Sequence, residues 1–160
     1  MWSLFRKKPP EVKPQEASAY FNAQRRFALC HAWGKSTEGF TVVTPPFFTS
    51  SGLDFGSQLL LALKASGSTV PHPERWDDLS RPMLIAADVK TWPKFARGTL
   101  SVEFELKDDV IRFIPTRNCG PKEHYNFEML EDLAFDMIIV PPIEMNALNE
   151  AIAKAFSLSQ

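Results

Sequence analysis

The sequence predicts an α+β fold, in which a mainly antiparallel sheet built from hairpins is packed by two helices. Two runs of alternating apolar and polar residues flank Asp108–Asp109 and predict a hairpin. A leucine-rich segment at about 54–66 predicts a buried helix, and apolar residues spaced by three and four at about 142–157 predict a C-terminal amphipathic helix. The 160-residue length suits a single domain, 15–160, and the proline-rich end of 1–14 predicts a flexible N-terminal tail.

The hairpin is the most specific local prediction, because its loop fixes which side chains lie opposite each other. The flanking runs are 99–106 and 110–115. A two-residue loop at Asp108–Asp109 places Glu105 opposite Arg112, and the neighbouring apolar pairs then share the other face. We expect the polar face of the first run to be solvated. The proline that closes the second run has no amide donor, so the ladder is expected to end there.

Upstream, a second hairpin is predicted from two strands, 26–33 and 40–44. Both faces of the first strand are apolar enough to be covered, and Pro45–Pro46 is expected to stop the second. Residues 16–22, before this hairpin, fit either one or two turns of helix or the approach to the first strand. Both interpretations stay open at the level of the sequence.

Capping residues mark the ends of two helices. Asp54 is a good N-cap for the first helix, and Gly67 is its predicted stop. Thr91 is predicted to cap a short helix at about 92–97, which Gly98 ends by supplying a positive φ. This short helix leads directly into the first strand of the hairpin that turns at Asp108–Asp109.

The charge of the chain is nearly balanced but unevenly distributed. The net charge is −1, yet residues 1–102 have five more basic than acidic residues and residues 103–160 have six more acidic than basic residues. Only Arg6–Lys8 and Arg25–Arg26 are basic clusters, which is far from the dense patch typical of nucleic-acid binding. An acidic C-terminal third suits a basic protein partner, although an ordinary solvated face is the simpler interpretation.

Other features of the sequence indicate a cytoplasmic protein. Its two cysteines are too few for the disulfide framework of a small secreted domain. The N-terminus places its basic residues after a very short apolar run, the reverse of a secretory signal. No run approaches the ~18 apolar residues of a membrane span. We therefore expect neither a membrane nor a nucleic-acid partner.

Few residues are candidates for chemistry. Cys119 and His124 flank a Gly-Pro turn and could meet, whereas Cys30 and His31 are adjacent in a strand and point to opposite faces. The histidines and cysteines lack the spacing that presents two metal ligands from one turn, and the glycines form no phosphate-binding loop. We therefore predict no catalytic residue, metal or cofactor. The Cys119–His124 pair leaves a small hydrolase or nuclease open as an alternative.

Glu103 and Glu105 are the carboxylates that most nearly resemble a glycosidase pair. They share the polar face of one strand, which we expect to be an outer surface rather than a cleft. Arg112 lies opposite Glu105 in the predicted hairpin. We interpret the group as a solvated salt bridge.

Several segments in the centre of the chain are informative through their order and spacing. They are Phe55–Leu63, Val70–Pro73 with Trp76, Thr91–Gly98 and, after the hairpin, Pro115–Gly120. Together they resemble the immunity proteins of bacterial contact-dependent growth inhibition systems, over about residues 50–160. The first fifty residues lie outside this resemblance.

The resemblance implies a non-enzymatic cytoplasmic protein that binds a cognate toxin domain, often a nuclease, and blocks it. A nuclease is expected to be basic, so an acidic surface would steer association and mask the nucleic-acid groove. A general protein–protein adaptor is a second alternative. The candidate partner-binding residues are Glu103, Glu105, Asp108, Asp109, Glu128, Glu131, Asp132 and Asp136.

Overall fold

The strands and helices were assigned in a computed structural model that describes residues 11–160. Residues 1–10, and with them most of the predicted tail, lie outside the described residues. The strands are β1 (Gln15–Asn22), β2 (Phe27–Ser36), β3 (Thr41–Ser50), β4 (Thr69–Val70), β5 (Leu100–Lys107), β6 (Val110–Asn118), β7 (Phe127–Met129) and β8 (Phe135–Ile138). The α-helices are α1 (Gly56–Ala65), α2 (Arg81–Ala86), α3 (Trp92–Ala96) and α4 (Met145–Leu158).

The strands form one mainly antiparallel sheet in the order β3-β2-β1-β5-β6-β7, with β8 also paired to β6 and the short β4 parallel to β2. This architecture confirms the predicted α+β class and its two helices. Strand β1 is central and pairs with both β2 and β5. Both interpretations of residues 16–22, a short helix or an approach to the first strand, are therefore wrong, because these residues are themselves a strand.

The β5–β6 hairpin has the predicted register. Glu105 lies opposite Arg112, and Phe104 lies opposite Phe113. The loop residue Asp108 has φ of 50° and Asp109 has φ of 60°, a left-handed geometry that Asp tolerates. The two-residue loop thus sets the pairing of all the side chains along these strands.

Proline residues interrupt the strands less than the sequence suggests. Strand β3 continues past Pro45–Pro46, because the pairing with β2 shifts between His31 and Ala32 and leaves both prolines unpaired. Such bulges at an edge strand are where a sheet tolerates proline. Pro115 does end the ladder with β5, but β6 continues to its end by pairing with β7.

Helices α1 and α4 pack together on one face of the sheet, over a core that includes Leu59 and Ile152. The predicted N-cap, Asp54, does not cap α1, which begins after Phe55 without a side-chain cap. Instead, the Gly56 amide donates to Asn149 Oδ1 of α4 at 2.8 Å. A Cβ at position 56 would lie 2.7 Å from that oxygen, so the contact requires glycine.

The opposite face of the sheet is covered by α2, α3 and the segment that leads into β7. Thr91 caps α3 by accepting from the Lys94 amide, as predicted, and Gly98 follows the helix with φ of 67°. Phe95 of α3 packs on Tyr20 of β1 with ring centroids 5.2 Å apart. The polar face of β5 is therefore not fully solvated, contrary to the prediction, and its residue Ser101 is buried.

Candidate functional site

A cleft of about 300 Å³ opens on the covered polar face, where β1, β2, β5 and β7 come together. Strand β1 makes this site by bringing residues of the N-terminal hairpin beside the β5–β6 hairpin. We name it the Glu103 cleft. Its lining residues are Glu16, Trp33, Thr41, Glu103, Phe104, Glu105, Phe127 and Met129.

Hydrogen bonds fix the side chain of Glu103 within this cleft. The Trp33 indole Nε1 donates to Ser18 Oγ at 2.6 Å and to Glu103 Oε2 at 3.2 Å. The Ser18 hydroxyl donates to the same Glu103 oxygen. Ser18 lies directly opposite Glu103 in the β1–β5 ladder, so strand pairing brings these side chains together. The second carboxylate oxygen of Glu103 has no hydrogen-bond partner among the residues that the structure describes.

The environment of Glu103 favours its neutral form. Burial raises its pKa to about 7, and the nearby carboxylates of Glu16 and Glu105 add to the rise. The hydrogen bonds from Ser18 and Trp33 act in the opposite direction and stabilise the charged form. The Glu103 carboxyl therefore titrates near neutral pH.

His31 and Tyr20 lie beside the cleft but form no acid–base pair with it. His31 Nδ1 is 2.9 Å from the Ala32 carbonyl oxygen, while its Nε2 is buried without a partner in the described part of the chain. Burial lowers the pKa of His31 to about 4 and raises that of Tyr20. Their rings stack 5.8 Å apart, so both serve as neutral packing groups.

A second, mostly apolar cleft of about 310 Å³ adjoins the first between the sheet and α2. It shares Trp33 and Thr41 with the Glu103 cleft. Its other lining residues are Tyr20, Val42, Val43, Leu79, Ser80, Met83 and Trp92. The two clefts together present an apolar half and an acidic half, with Trp33 between them.

The structure divides the predicted acidic residues into two groups. Glu103 and Glu105 are partly buried and line the cleft. The other six are exposed at the β5–β6 loop and along the segments after β6, and they are Asp108, Asp109, Glu128, Glu131, Asp132 and Asp136. Glu103 and Glu105 therefore line a concave surface, and our expectation that they lie on an outer face is wrong.

Arg112 does not form the predicted salt bridge with Glu105, although the two residues lie opposite each other. Its guanidinium binds Glu131 at 3.0 Å and lies 3.9 Å from Asp136. The 3₁₀ turn that contains Glu131 and the strand β8 that contains Asp136 were not placed beside Arg112 from the sequence. Arg112 therefore neutralises the exposed acidic group rather than the cleft.

Cys119 and His124 do not form a nucleophilic pair. The Cys119 sulfur lies 3.7 Å from the Arg117 carbonyl oxygen and 4.0 Å from a Glu128 carboxylate oxygen. No hydrogen bond joins Cys119 to His124 within residues 11–160, and His124 instead accepts from the indole of Trp92 through its carbonyl. The same part of the chain contains no cluster of His, Cys, Asp or Glu suited to a metal ion.

Sequence reasoning missed the roles of Ser18 and Trp33 in the site. Trp33 lies in the predicted strand 26–33, but no hydrogen-bond partner was predicted for its indole. Ser18 received no role because β1 was not recognised as a strand between the two hairpins. Alternation along residues 15–22, with Ser18 and Tyr20 on one face, was the signal available.

No helix within residues 11–160 has the length and apolar character needed to cross a membrane.

No protein-family model matches the chain, and no curated protein gives a significant match. Among solved structures, a protein of unknown function from Neisseria meningitidis superposes with a TM-score of 0.69 at 14% identity, over 92% of this chain and 96% of that one. A chain of the CdiA-CT/CdiI toxin and immunity complex from Yersinia pseudotuberculosis superposes with a TM-score of 0.67 at 18% identity, over 93% of this chain and 99% of that one. The resemblance to contact-dependent growth inhibition immunity proteins is thereby confirmed at the level of the fold.

Proposed function

We propose that this chain is an immunity protein, which binds and neutralises a cognate contact-dependent growth inhibition toxin in the bacterial cytoplasm. The observation that carries the proposal is the shared fold with a chain of a toxin and immunity complex, over 93% of this chain. The order and spacing of four sequence segments point independently to the same family. The role is that of a binding protein and not of an enzyme.

The acidic residues support a basic toxin domain, such as a nuclease, as the partner. Six exposed carboxylates surround the β5–β6 loop and the segments after β6, and only Arg112 and Arg117 pair with them in the described residues. A basic nuclease domain would be steered to this surface by long-range attraction. The bound immunity protein would then cover the groove that holds nucleic acid.

The arrangement of Cys119 gives the hydrolase alternative no support. Its sulfur faces the carboxylate of Glu128 rather than an imidazole. A nucleophilic cysteine is activated by a neighbouring cation or a helix N-terminus, and Cys119 has no hydrogen bond to either in the described residues. The proposed role therefore needs no reactive cysteine.

The test is co-expression in a bacterial host with the toxin domain encoded directly upstream of this chain. We expect survival to be restored against that toxin only, and the two purified proteins to form a tight complex. Survival that stays unchanged by the chain contradicts the proposal.

A matched variant, Cys119→Ala, separates the proposal from the hydrolase alternative. We expect it to protect as well as the natural chain. Loss of protection by a variant that remains folded would favour catalysis by Cys119. Copurification of many weak partners without a tight one would favour the adaptor alternative.

A further inference from the structure

We propose that the Glu103 cleft is a socket for a single Lys or Arg side chain of the toxin domain. This inference rests on the proposed function and names the contact that anchors the complex. The cleft combines uncompensated negative charge, apolar walls and a volume that suits one long side chain.

The negative charge of the cleft comes from Glu16 and Glu105 and, in part, from Glu103, whose pKa is about 7, and no cation of the described chain neutralises it. Glu16 and Glu105 lie directly opposite each other in the β1–β5 ladder, where like charges are destabilising. Neither they nor Glu103 forms an ion pair within residues 11–160. The described chain supplies no cation that offsets this repulsion, whereas a bound cation would interact favourably with Glu16 and Glu105 and would favour the ionised form of Glu103.

Two basic side chains bond groups other than these carboxylates, and a third, Lys13, lines a neighbouring cleft with Glu16 and Trp33 but forms no ion pair within residues 11–160. The Lys35 ammonium donates to Oγ1 of Thr41, one of the lining residues. The Arg112 guanidinium binds Glu131 and also lies near Asp136. Within the described residues no basic side chain pairs with Glu16, Glu103 or Glu105, and we place the cation that fills the cleft on the toxin.

The walls of the cleft suit the long apolar stem and the charged tip of a basic side chain. Trp33 and Phe127 provide aromatic rings, and Met129, which is 53% exposed, provides a flexible apolar surface at the opening. Lys and Arg bury their methylene stems against such surfaces, and their cationic tips are attracted to aromatic rings. The free oxygen of Glu103 accepts the terminal N–H group.

The size of the cleft favours a side chain over a larger element. Its volume of about 300 Å³ is at the lower end of the range for ligand pockets. A helix or a folded loop does not enter a space of this size. A basic protein that docks on the surrounding acidic surface can place one Lys or Arg there.

The test compares two double variants of the full chain that each replace two Glu residues by Gln, and it is run at pH 8, where Glu103 is largely ionised. Glu103→Gln/Glu105→Gln removes charge from the cleft. Glu144→Gln/Glu150→Gln removes charge from exposed positions at and within α4, which packs on the opposite face of the sheet. Binding of the purified toxin domain is measured by surface plasmon resonance, and circular dichroism verifies the fold of each variant.

We expect the cleft variant to bind the toxin about 30-fold more weakly or worse, mainly through faster dissociation, as for a buried charge pair that loses one partner. The control variant should change affinity by less than about threefold, through association alone. In a double-mutant cycle, the affinity loss caused by replacing one Lys or Arg of the toxin should be non-additive with the affinity loss caused by Glu103→Gln. Equal affinity losses in the cleft and control variants would overturn the socket.

Thermal unfolding of the isolated proteins tests whether the chain fills its own cleft. We expect Glu103→Gln/Glu105→Gln to have an unchanged or higher Tm, because it relieves repulsion between carboxylates. A Tm that falls by several degrees would show that a cation of this chain pairs with them, and would overturn the inference.

If the natural chain binds no toxin, the proposed function and the socket both fail. If it binds tightly and the cleft variant binds equally well, only the socket fails.

Discussion

The indole nitrogen of Trp33 donates to a carboxylate oxygen of Glu103 at 3.2 Å, although the two residues are seventy positions apart in the chain. Strand β1 separates their strands in the sheet, and its residue Ser18 bonds to both side chains. The contact therefore depends on the central position of β1. It holds a carboxylate at the bottom of a cleft where burial alone would favour the neutral acid.

Replacing Trp33 tests this hydrogen bond. Trp33→Phe removes the donor that stabilises the ionised form of Glu103, so the pKa of that group should rise further. We expect a loss of about 1–3 kcal/mol in the free energy of unfolding at pH 8, and a smaller loss at pH 5, where the carboxyl is neutral. Urea denaturation at both pH values measures the difference.

Trp76→Phe is the matched control, since Trp76 is 59% exposed and packs only at the surface against Phe40 and His72. Its effect should stay within about 0.5 kcal/mol at both pH values. An equal loss at pH 5 and pH 8 for Trp33→Phe would mean that the indole contributes packing alone.

Glu103 itself should make stability depend on pH. Its pKa of about 7 in the folded chain exceeds the ordinary value of 4.5, so the folded state binds this proton more tightly than the unfolded state. The resulting stabilisation is present below pH 4.5 and is lost as pH rises through 7. Relative to the natural chain, Glu103→Gln should therefore be about 3 kcal/mol more stable at pH 8 than at pH 4.

The measurement for Glu103→Gln is urea denaturation at several pH values from 4 to 8. Glu150→Gln on α4, where the side chain is exposed, serves as the control and should run parallel to the natural chain. A constant difference between Glu103→Gln and the natural chain across this range would contradict a raised pKa.

His31 should give a pH dependence of the opposite sign. Its pKa of about 4 in the folded chain lies below the ordinary 6.5, so the unfolded state binds the proton more tightly. The stability that this neutral ring confers is present above pH 6.5 and lost as pH falls through 4. His31→Phe removes both the titrating ring and the unpartnered Nε2. The variant should therefore lose about 2 kcal/mol less stability than the natural chain between pH 6.5 and pH 4.

The same denaturation series tests this prediction. His124→Asn is the control, because His124 is exposed and Asn tolerates its φ of 54°. Between pH 4.5 and 6.5 the His31 and Glu103 effects oppose each other, so the natural chain should vary less than either single variant. The double variant should also be nearly flat, and a steep pH profile for it would show that other groups dominate.

The β5–β6 hairpin could be predicted because its information is local. A two-residue loop at Asp108–Asp109 fixes the register, and the pairing of Glu105 with Arg112 follows from it. Helix α4 was predictable for the same reason, since its apolar spacing lies within one segment. Local periodicity and loop length thus carry most of the fold class.

The cleft could not be predicted, because it depends on pairing between distant segments. Alternation places Glu103 on the polar face of β5 but does not reveal what covers that face. The covering elements are α3 and the segment that contains Phe127, and the partner Ser18 arrives through β1. Glu103 is partly buried, and not solvated as expected, because of the position of its strand in the sheet, which no local sequence pattern encodes.

The loop of the same hairpin provides a final prediction about the toxin. Asp108 and Asp109 are exposed at the edge of the acidic surface, outside the Glu103 cleft. Under the proposed function they contribute to steering rather than to a buried contact. Asp108→Asn/Asp109→Asn should therefore slow association with the toxin domain severalfold at low salt and leave dissociation nearly unchanged.

Stopped-flow or surface plasmon resonance measurements at two salt concentrations check this outcome. Asn tolerates the positive φ of both positions, so the loop should keep its geometry and the variant its Tm. At about 0.5 M NaCl the difference in association rate should largely disappear, because exposed charges are screened over a few ångströms. A faster dissociation that persists at high salt would instead place the loop inside the interface, because only a direct contact resists screening in this way.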